Sequence, residues 1–235
     1  MGRIFEKRKY KMFARFDRMA KTFTRIGKEV AIAVKQGGPD PNTNPRLRAA
    51  IANAKAANMP KDRVDAAIKR ASSKDEKELQ EIIYEGYGPH GIGMIVECAT
   101  DNPTRTVANI RMYFTKHGGT LGSSGSVAFL FERKGVFKIG KEGVDSDELE
   151  LEMIDYGAED FAVDDEDIYI YTSFGDFVKM QKALEEKKLN VKSAELQYIP
   201  STQTDVNEKQ EEDVIKLVEA IEEDDDVQNV FHAMK

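Results

Sequence analysis

Apolar residues recur every three or four positions through the first part of the chain. Between residues 12 and 34 they are Met12, Phe16, Met19, Phe23, Ile26, Val30 and Val34. This period predicts one long amphipathic helix, which the glycines and prolines of residues 37–41 end. Asn44 before Pro45 predicts the start of a second helix, and Pro60 predicts the first turn of a third. Residues 1–76 are therefore predicted to form a helical domain with a polar linker at its end.

From residue 80 onward the pattern changes to short runs of β-branched and aromatic residues, which predict strands. The first block reads as two strands, a helix and a third strand, at residues 82–85, 92–98, 102–116 and 126–132. Residues 135–198 then read as β-α-β-β-α-β, which is the ferredoxin-like order. A helix over residues 207–223 and a strand over residues 227–232 follow.

The order of these elements predicts how the domains are connected. A single helix and strand cannot fold alone, and the first block lacks such a pair to complete its sheet. We therefore predict a discontinuous α+β domain made of residues 77–132 and 204–235. A ferredoxin-like domain, residues 133–203, is inserted into it. The fold class is α+β and multidomain, with three helices in the N-terminal domain.

Charge divides the chain into two opposite parts. The net charge of the whole chain is −7. Residues 1–70 contain 18 Lys and Arg against 6 Asp and Glu, a surplus of +12, whereas the rest carries −19. Such asymmetry is typical of an arm that binds nucleic acid or another anionic surface, joined to an acidic body.

The basic residues of the first helix lie beside its apolar stripe, and further ones follow in the next two helices. The residues that we expect to contact nucleic acid are Lys7, Arg8, Lys9, Lys11, Arg15, Arg18, Arg25, Lys28, Arg46, Arg48, Lys61, Lys69 and Arg70. Lysine and arginine neutralise phosphates, so we expect binding to depend strongly on salt. The alternative is a solvated helix face without a ligand. Lys61 is of special interest because a cation at a helix N-terminus can hold a phosphate.

Other function classes find little support in the sequence. One cysteine and three histidines argue against a disulfide framework and a zinc site, and no apolar run is long enough to cross a membrane. The start of the chain lacks the apolar segment of a secretory signal, so we expect a cytoplasmic protein. No constellation of nucleophile and base is recognisable. We therefore expect a non-enzymatic protein without a cofactor or a membrane partner, and we favour a monomer.

Several motifs are interpreted as structural. Residues 86–91 spell GxGxxG but lead into a strand, which indicates a tight turn and not a dinucleotide site. The glycine-rich residues 119–125 are expected to form a flexible loop. The acidic runs 164–167 and 224–226 are expected to be solvated turns. Cys98 is expected to be buried, and His117 to interact with the end of a helix.

A long, ordered set of motifs resembles the YebC/PmpR family. They are Asn44–Ile51, Asn58–Asp62, Ala67–Arg70, Tyr84–Pro89, Val96–Cys98, Asp101–Asn102, Arg105–Val107, Lys116–Gly119, Gly125–Ala128 and Phe131–Gly135. They span nearly the whole chain, which makes the resemblance more specific than any single motif.

The resemblance implies a helical N-terminal domain, an α+β domain and a ferredoxin-like domain inserted into it. Members of that family are labelled DNA-binding transcriptional regulators. A mitochondrial relative is a translational activator, and some bacterial members are linked to the ribosome and to proline-rich synthesis. We therefore expect a DNA-binding transcriptional regulator acting at promoters. The alternative is a ribosome-associated translation factor that binds ribosomal RNA or tRNA, because phosphate contacts in the two cases look alike.

Overall fold

The computed structural model describes residues 3–73 and 78–235, with side chains from Met19 onward in the first helix. The chain divides into two compact units, residues 1–76 and residues 77–235. The first is helical. The second is mixed and contains two antiparallel sheets of four strands each. This confirms the predicted α+β class.

Three helices make up the first unit: α1 (Arg3–Gly37), α2 (Pro45–Ala56) and α3 (Lys61–Ala71). The buried residues of α1 continue the predicted stripe and pack against apolar residues of α2 and α3. This core consists of Ile26, Val30, Ala33, Val34, Leu47, Ala50, Ala54, Val64 and Ala71. Asn44 caps α2 by accepting a hydrogen bond from the Leu47 amide, as predicted. Pro60 is the N-cap of α3, one position before the predicted one.

Within residues 78–235, the second unit contains eight strands and four α-helices. In chain order they are β1 (Gln80–Tyr87), β2 (Gly93–Thr100), α4 (Pro103–Lys116), β3 (Thr120–Leu121), β4 (Phe131–Gly140), α5 (Ser146–Ile154), β5 (Ala158–Val163), β6 (Asp167–Ser173), α6 (Phe177–Glu186), β7 (Val191–Pro200), α7 (Glu208–Glu222) and β8 (Val227–His232). Short 3₁₀ turns lie at Pro89–Gly91 and Ala128–Leu130.

The first sheet has the strand order β3-β1-β2-β8. Helices α4 and α7 cover it through a core that includes Ile110, Phe114, Val214 and Leu217. Cys98 lies in this core, as predicted. The last strand of the chain pairs with β2, where Val96 faces Val230.

The second sheet has the order β5-β6-β4-β7, with every neighbouring pair antiparallel. Its elements follow one another as β-α-β-β-α-β, the arrangement that the sequence predicts for this segment. Phe137 of β4 stacks on Phe177 of α6 with ring centroids 4.9 Å apart. The helices therefore cover one face of this sheet.

One predicted strand is wrong. The sequence suggested a strand over residues 126–132, but residues 128–130 form a 3₁₀ turn and β4 runs unbroken from Phe131 to Gly140. The predicted boundary at residue 132 thus lies within β4. The start of β4 also packs against the first sheet, because Phe131 shares a buried cluster with Ile95, Val127 and Ala233. The subdivision of residues 77–235 into two domains stays a prediction.

Candidate nucleic-acid interface

The described part of α1 presents basic side chains beside its buried stripe. Ile26 and Val30 are buried in the helical core. Arg25 and Lys28 are half-buried, and their positions flank these residues. Six predicted contacts, Lys7, Arg8, Lys9, Lys11, Arg15 and Arg18, have side chains outside the described residues.

Two predicted contacts on α2 form hydrogen bonds within the helical unit, Arg48 to the preceding loop and Arg46 to the end of α1. A guanidinium nitrogen of Arg48 donates hydrogen bonds to the carbonyl oxygens of Pro41 at 2.8 Å and Asn42 at 3.1 Å. Arg46 donates to the side-chain oxygen of Gln36 at 2.7 Å. Both side chains are half-buried. They therefore have a structural task that the sequence pattern did not reveal, and Arg48 in particular fixes the loop between α1 and α2.

The predicted contacts on α3 are exposed to solvent. Lys61 occupies the first position of the helix, and Lys69 and Arg70 lie in its last turn. At 1.5 Å per residue, Lys61 and Lys69 are separated by about 12 Å along the helix axis. The structure thus spreads these cations along α3 and does not gather them at one point. Nine residues at 3.6 residues per turn also place Lys61 and Arg70 on opposite sides of the helix, so these cations do not bind one common anion.

Sequence reasoning left Arg63 out of the predicted set. Arg63 is exposed, and its guanidinium carbon lies 5.6 Å from the centre of the Phe23 ring. It is also seven residues from Arg70, so the two project from the same side of α3. The i, i+7 spacing to Arg70 is the signal that could have identified it.

A buried carboxylate organises the glycine-rich loop. Glu85 is 6% exposed and accepts hydrogen bonds from the backbone amides of Gly125, Val127 and Ala128 at 2.7, 2.9 and 2.8 Å. Burial alone would raise the pKa of Glu85, but the three amide donors outweigh it and hold the pKa below its ordinary value. The loop is thus fixed at these amides, and the anion that they bind is the carboxylate of Glu85 itself.

The first acidic run is not simply a solvated turn. Asp167 is 4% exposed and forms ion pairs with Lys138, at 2.9 Å, and with Lys192. These two ammonium groups lower the pKa of Asp167. Asp167 is therefore the shared acceptor of two salt bridges on the second sheet. The other residues of the run, Asp164, Asp165 and Glu166, are exposed as predicted.

The second acidic run also contains a buried residue. Asp226 accepts hydrogen bonds from Arg105 at 2.6 Å, Thr106 at 2.9 Å and Thr100 at 3.1 Å. Asp224 accepts from the side chain of Asn109 at 2.8 Å. The prediction of a solvated turn is wrong for Asp226, because its buried carboxylate, just before β8, bonds to the end of β2 and the start of α4.

Neither the glycine turn nor the histidines form a recognisable ligand site. The predicted turn at residues 86–91 is shorter in the structure, because Gly86 and Tyr87 belong to β1 and only Pro89–Gly91 form the turn into β2. In this turn, Nε2 of His90 lies 3.1 Å from Oδ2 of Asp213 in α7. His117 is the C-cap of α4.

Within residues 3–73 and 78–235, no group of three potential metal ligands occurs. Over the same part of the chain, no helix has both the length and the apolar character needed to cross a bilayer.

These features define a class of α+β protein with a basic three-helix unit followed by an acidic unit of two antiparallel sheets. The family profile for the TACO1/YebC N-terminal domain matches residues 3–74, and that for the TACO1/YebC second and third domain matches residues 79–234. The chain belongs to the TACO1/YebC family.

Similar proteins support this assignment over the whole length. A relative from Cytophaga hutchinsonii is 58% identical and covers 100% of this chain and 98% of its own. A relative from Flavobacterium johnsoniae is 55% identical, and the match covers 100% of this chain and 99% of that protein. Both are named "Probable transcriptional regulatory protein". The crystal structure of a conserved hypothetical protein from Aquifex aeolicus matches with a TM-score of 0.83 and 39% identity, over 92% of this chain and 90% of that one.

Proposed function

We propose that the protein is a regulator of gene expression that binds DNA through its basic helical unit and acts on transcription. The observation that carries this proposal is the surplus of +12 within residues 1–70, beside −19 in the remainder. A basic unit of this kind attracts a polyanion and releases its counterions. The names of the similar proteins from Cytophaga and Flavobacterium support the regulatory role.

The described helices support this proposal through their exposed cations. Lys61, Lys69 and Arg70 are exposed along α3, and Arg63 lies on the same helix. Asp62 and Asp65 are the acidic residues of α3, so cations outnumber carboxylates on it by four to two. Contacts of this type read the phosphate backbone and not the base sequence. Any base specificity would then come from other residues or from DNA shape.

We also propose that the protein binds without catalysing a reaction. Its buried carboxylates support this, because each is engaged by groups of the protein itself: Glu85 by amides, Asp167 by lysines, and Asp226 by threonines and Arg105. A catalytic carboxylate has to face a substrate. The same residues explain local structure without invoking a reaction.

Charge reversal on α3 tests the binding proposal in the full chain. The double variant Lys69→Glu, Arg70→Glu should bind a labelled DNA duplex at least about tenfold more weakly. The control is Lys182→Glu with Lys209→Glu, which makes the same change of charge at exposed positions of the acidic unit. Equal losses in the two variants would show that total charge alone matters and would contradict the proposal.

A second experiment identifies the bound nucleic acid: the protein is crosslinked in cells, and the nucleic acid attached to it is sequenced. Promoter DNA is the expected result. Enrichment of ribosomal RNA or tRNA would replace transcription by translation as the regulated process, with the same basic helices as the contact surface. Binding that is insensitive to salt would contradict both versions, because both rest on phosphate neutralisation.

A further inference from the structure

Helix α5 is apolar on two opposite sides. Leu149 and Met153 are 4% and 0% exposed, and they belong to the buried residues of the second unit. Leu151 and Ile154 are 71% and 57% exposed. Residues three apart on a helix are neighbours on its surface, so Leu151 and Ile154 form one apolar patch. A scattered surface leucine needs no explanation, but a pair of large aliphatic residues on one helix face does.

The segment that carries this patch is itself strongly acidic. Residues 145–155 contain no lysine or arginine, and their carboxylates are Asp145, Asp147, Glu148, Glu150, Glu152 and Asp155. A nucleic acid or an anionic membrane would be repelled by such a surface. A cationic partner would be attracted to it, and its association would be accelerated by the field of the helix.

The helix is held in place before any partner arrives. Asp145 caps its N-terminus through the amides of Asp147 and Glu148, both at 3.1 Å. At the other end, Lys179 of α6 donates to the carbonyl oxygen of Asp155 at 2.7 Å, and Lys187 pairs with Glu152. A surface fixed in this way loses little conformational entropy when it binds.

The strand against which α5 packs also carries an exposed aliphatic residue. Helix α5 packs against β5, which is the outer strand of the second sheet. Val163 at the end of β5 is 44% exposed.

We propose that the outer face of α5, centred on Leu151 and Ile154, is a docking site for a basic amphipathic segment of a partner protein. The apolar side of such a segment covers Leu151 and Ile154, and its lysines or arginines face the surrounding carboxylates. In this mode of recognition the apolar residues anchor an amphipathic helix, and the charges determine which partner binds. The inference does not depend on the nucleic-acid proposal, because it concerns a different unit of the chain.

The test uses the full chain and a defined probe, a labelled amphipathic peptide made only of leucine and lysine in a helical pattern. A peptide of the same composition in scrambled order measures binding by charge alone. The wild-type chain should bind the amphipathic peptide at least about tenfold more tightly than the scrambled one. The variant Leu151→Ser, Ile154→Ser should lose this preference while its thermal stability stays the same, because both side chains are exposed.

The matched control is Ile215→Ser, which removes an exposed isoleucine, 40% accessible, from the acidic helix α7. It should keep the preference for the amphipathic peptide. Equal binding of the two peptides by the wild type, or equal losses in the two variants, would overturn the proposal. Light scattering tests whether the wild type associates with itself. If it does, and if Leu151→Ser, Ile154→Ser abolishes this association, the face binds a second copy of the chain and the proposal is overturned.

Discussion

The side-chain amide of Asn44 donates a hydrogen bond to the carbonyl oxygen of Ala33 at 2.7 Å. The same nitrogen donates to the carbonyl oxygen of Gly38 at 2.9 Å, while the side-chain oxygen accepts from the amide of Leu47 at 3.0 Å. Asn44 is 3% exposed. One side chain therefore joins the end of α1 to the start of α2 and fixes the angle at which the basic helices meet.

We expect Asn44→Ala to lower the free energy of unfolding by about 2–3 kcal/mol, because it removes a helix cap and the two hydrogen bonds that the side-chain amide donates to Ala33 and Gly38. Urea denaturation of the helical unit, followed by circular dichroism, measures this. Asn42→Ala, at an exposed position two residues earlier, should change stability by less than about 0.5 kcal/mol. If both variants lose the same free energy of unfolding, the hydrogen bonds of Asn44 do not stabilise the helical unit and the prediction is wrong.

Lys61→Ala should weaken nucleic-acid binding by more than about 1 kcal/mol, the scale of one phosphate contact, because the helix N-terminus adds to its charge. Fluorescence anisotropy at several salt concentrations measures the effect. Lys55→Ala, exposed on α2, is the control. Equal effects of the two substitutions would show that the start of α3 is only structural.

The affinity of the wild type for duplex DNA should fall as the salt concentration rises. In a plot of the logarithm of the binding constant against the logarithm of the salt concentration, the slope should be roughly −4 to −7 for contacts to five to eight phosphates.

The lowered pKa of Glu85 predicts a loss of stability in acid. Its stabilising contribution is complete above the pKa of the unfolded chain, near 4.5, and is lost as the pH falls through the lower pKa of the folded protein. Between about pH 5 and pH 3, the free energy of unfolding should therefore fall more steeply for the wild type than for Glu85→Gln. Urea titrations at each pH measure the slopes. Glu150→Gln, on the exposed side of α5, is the control for the removal of one negative charge.

Asp226→Ala should destabilise the protein by about 2 kcal/mol, because the hydroxyl groups of Thr100 and Thr106 lose their buried acceptor. Thermal unfolding followed by circular dichroism tests this. Asp225→Ala changes the adjacent, exposed carboxylate and should cost less than about 0.5 kcal/mol. If the two losses match, the burial of Asp226 has no energetic consequence.

Gly135→Ala should cost about 1–3 kcal/mol through overpacking. A Cβ atom at this position would lie 2.5 Å from Thr172 Oγ1 and 2.7 Å from Phe177 Cδ2, between β4 and α6. At Gly175 the nearest atom would be 3.6 Å away, so Gly175→Ala serves as the control. Differential scanning calorimetry compares the two. An unchanged melting temperature for Gly135→Ala would contradict this packing.

Helix ends were predictable because their signals are local. Asn44 and Asn102 cap their helices through hydrogen bonds to the amides three residues later, and Asn207 forms a capping box with Gln210. The apolar stripe of α1 likewise needs no knowledge of distant residues. The last strand, residues 227–232, was also placed correctly.

The errors arose where distant residues determine the structure. Residues 126–132 alternate like a strand, but the Glu85 carboxylate occupies the amides of Val127 and Ala128. Asp226 finds its partners more than a hundred positions earlier, at Thr100 and Arg105. Among the basic residues, the sequence could not distinguish Arg48, which holds a loop, from exposed Lys69. Composition reports a surplus of charge, whereas only packing shows which charges are available.

The pairing of β2 with β8 has a consequence for synthesis of the chain. The ribosome makes all four strands of the second sheet before it makes β8. That sheet can therefore close while the first sheet still presents β2 as an open edge, without α7 over its core. Unpaired edges and uncovered apolar faces invite aggregation. Premature stop codons after residue 200 should thus yield chains with one finished sheet and one unfinished sheet, which are natural targets for chaperones and proteases.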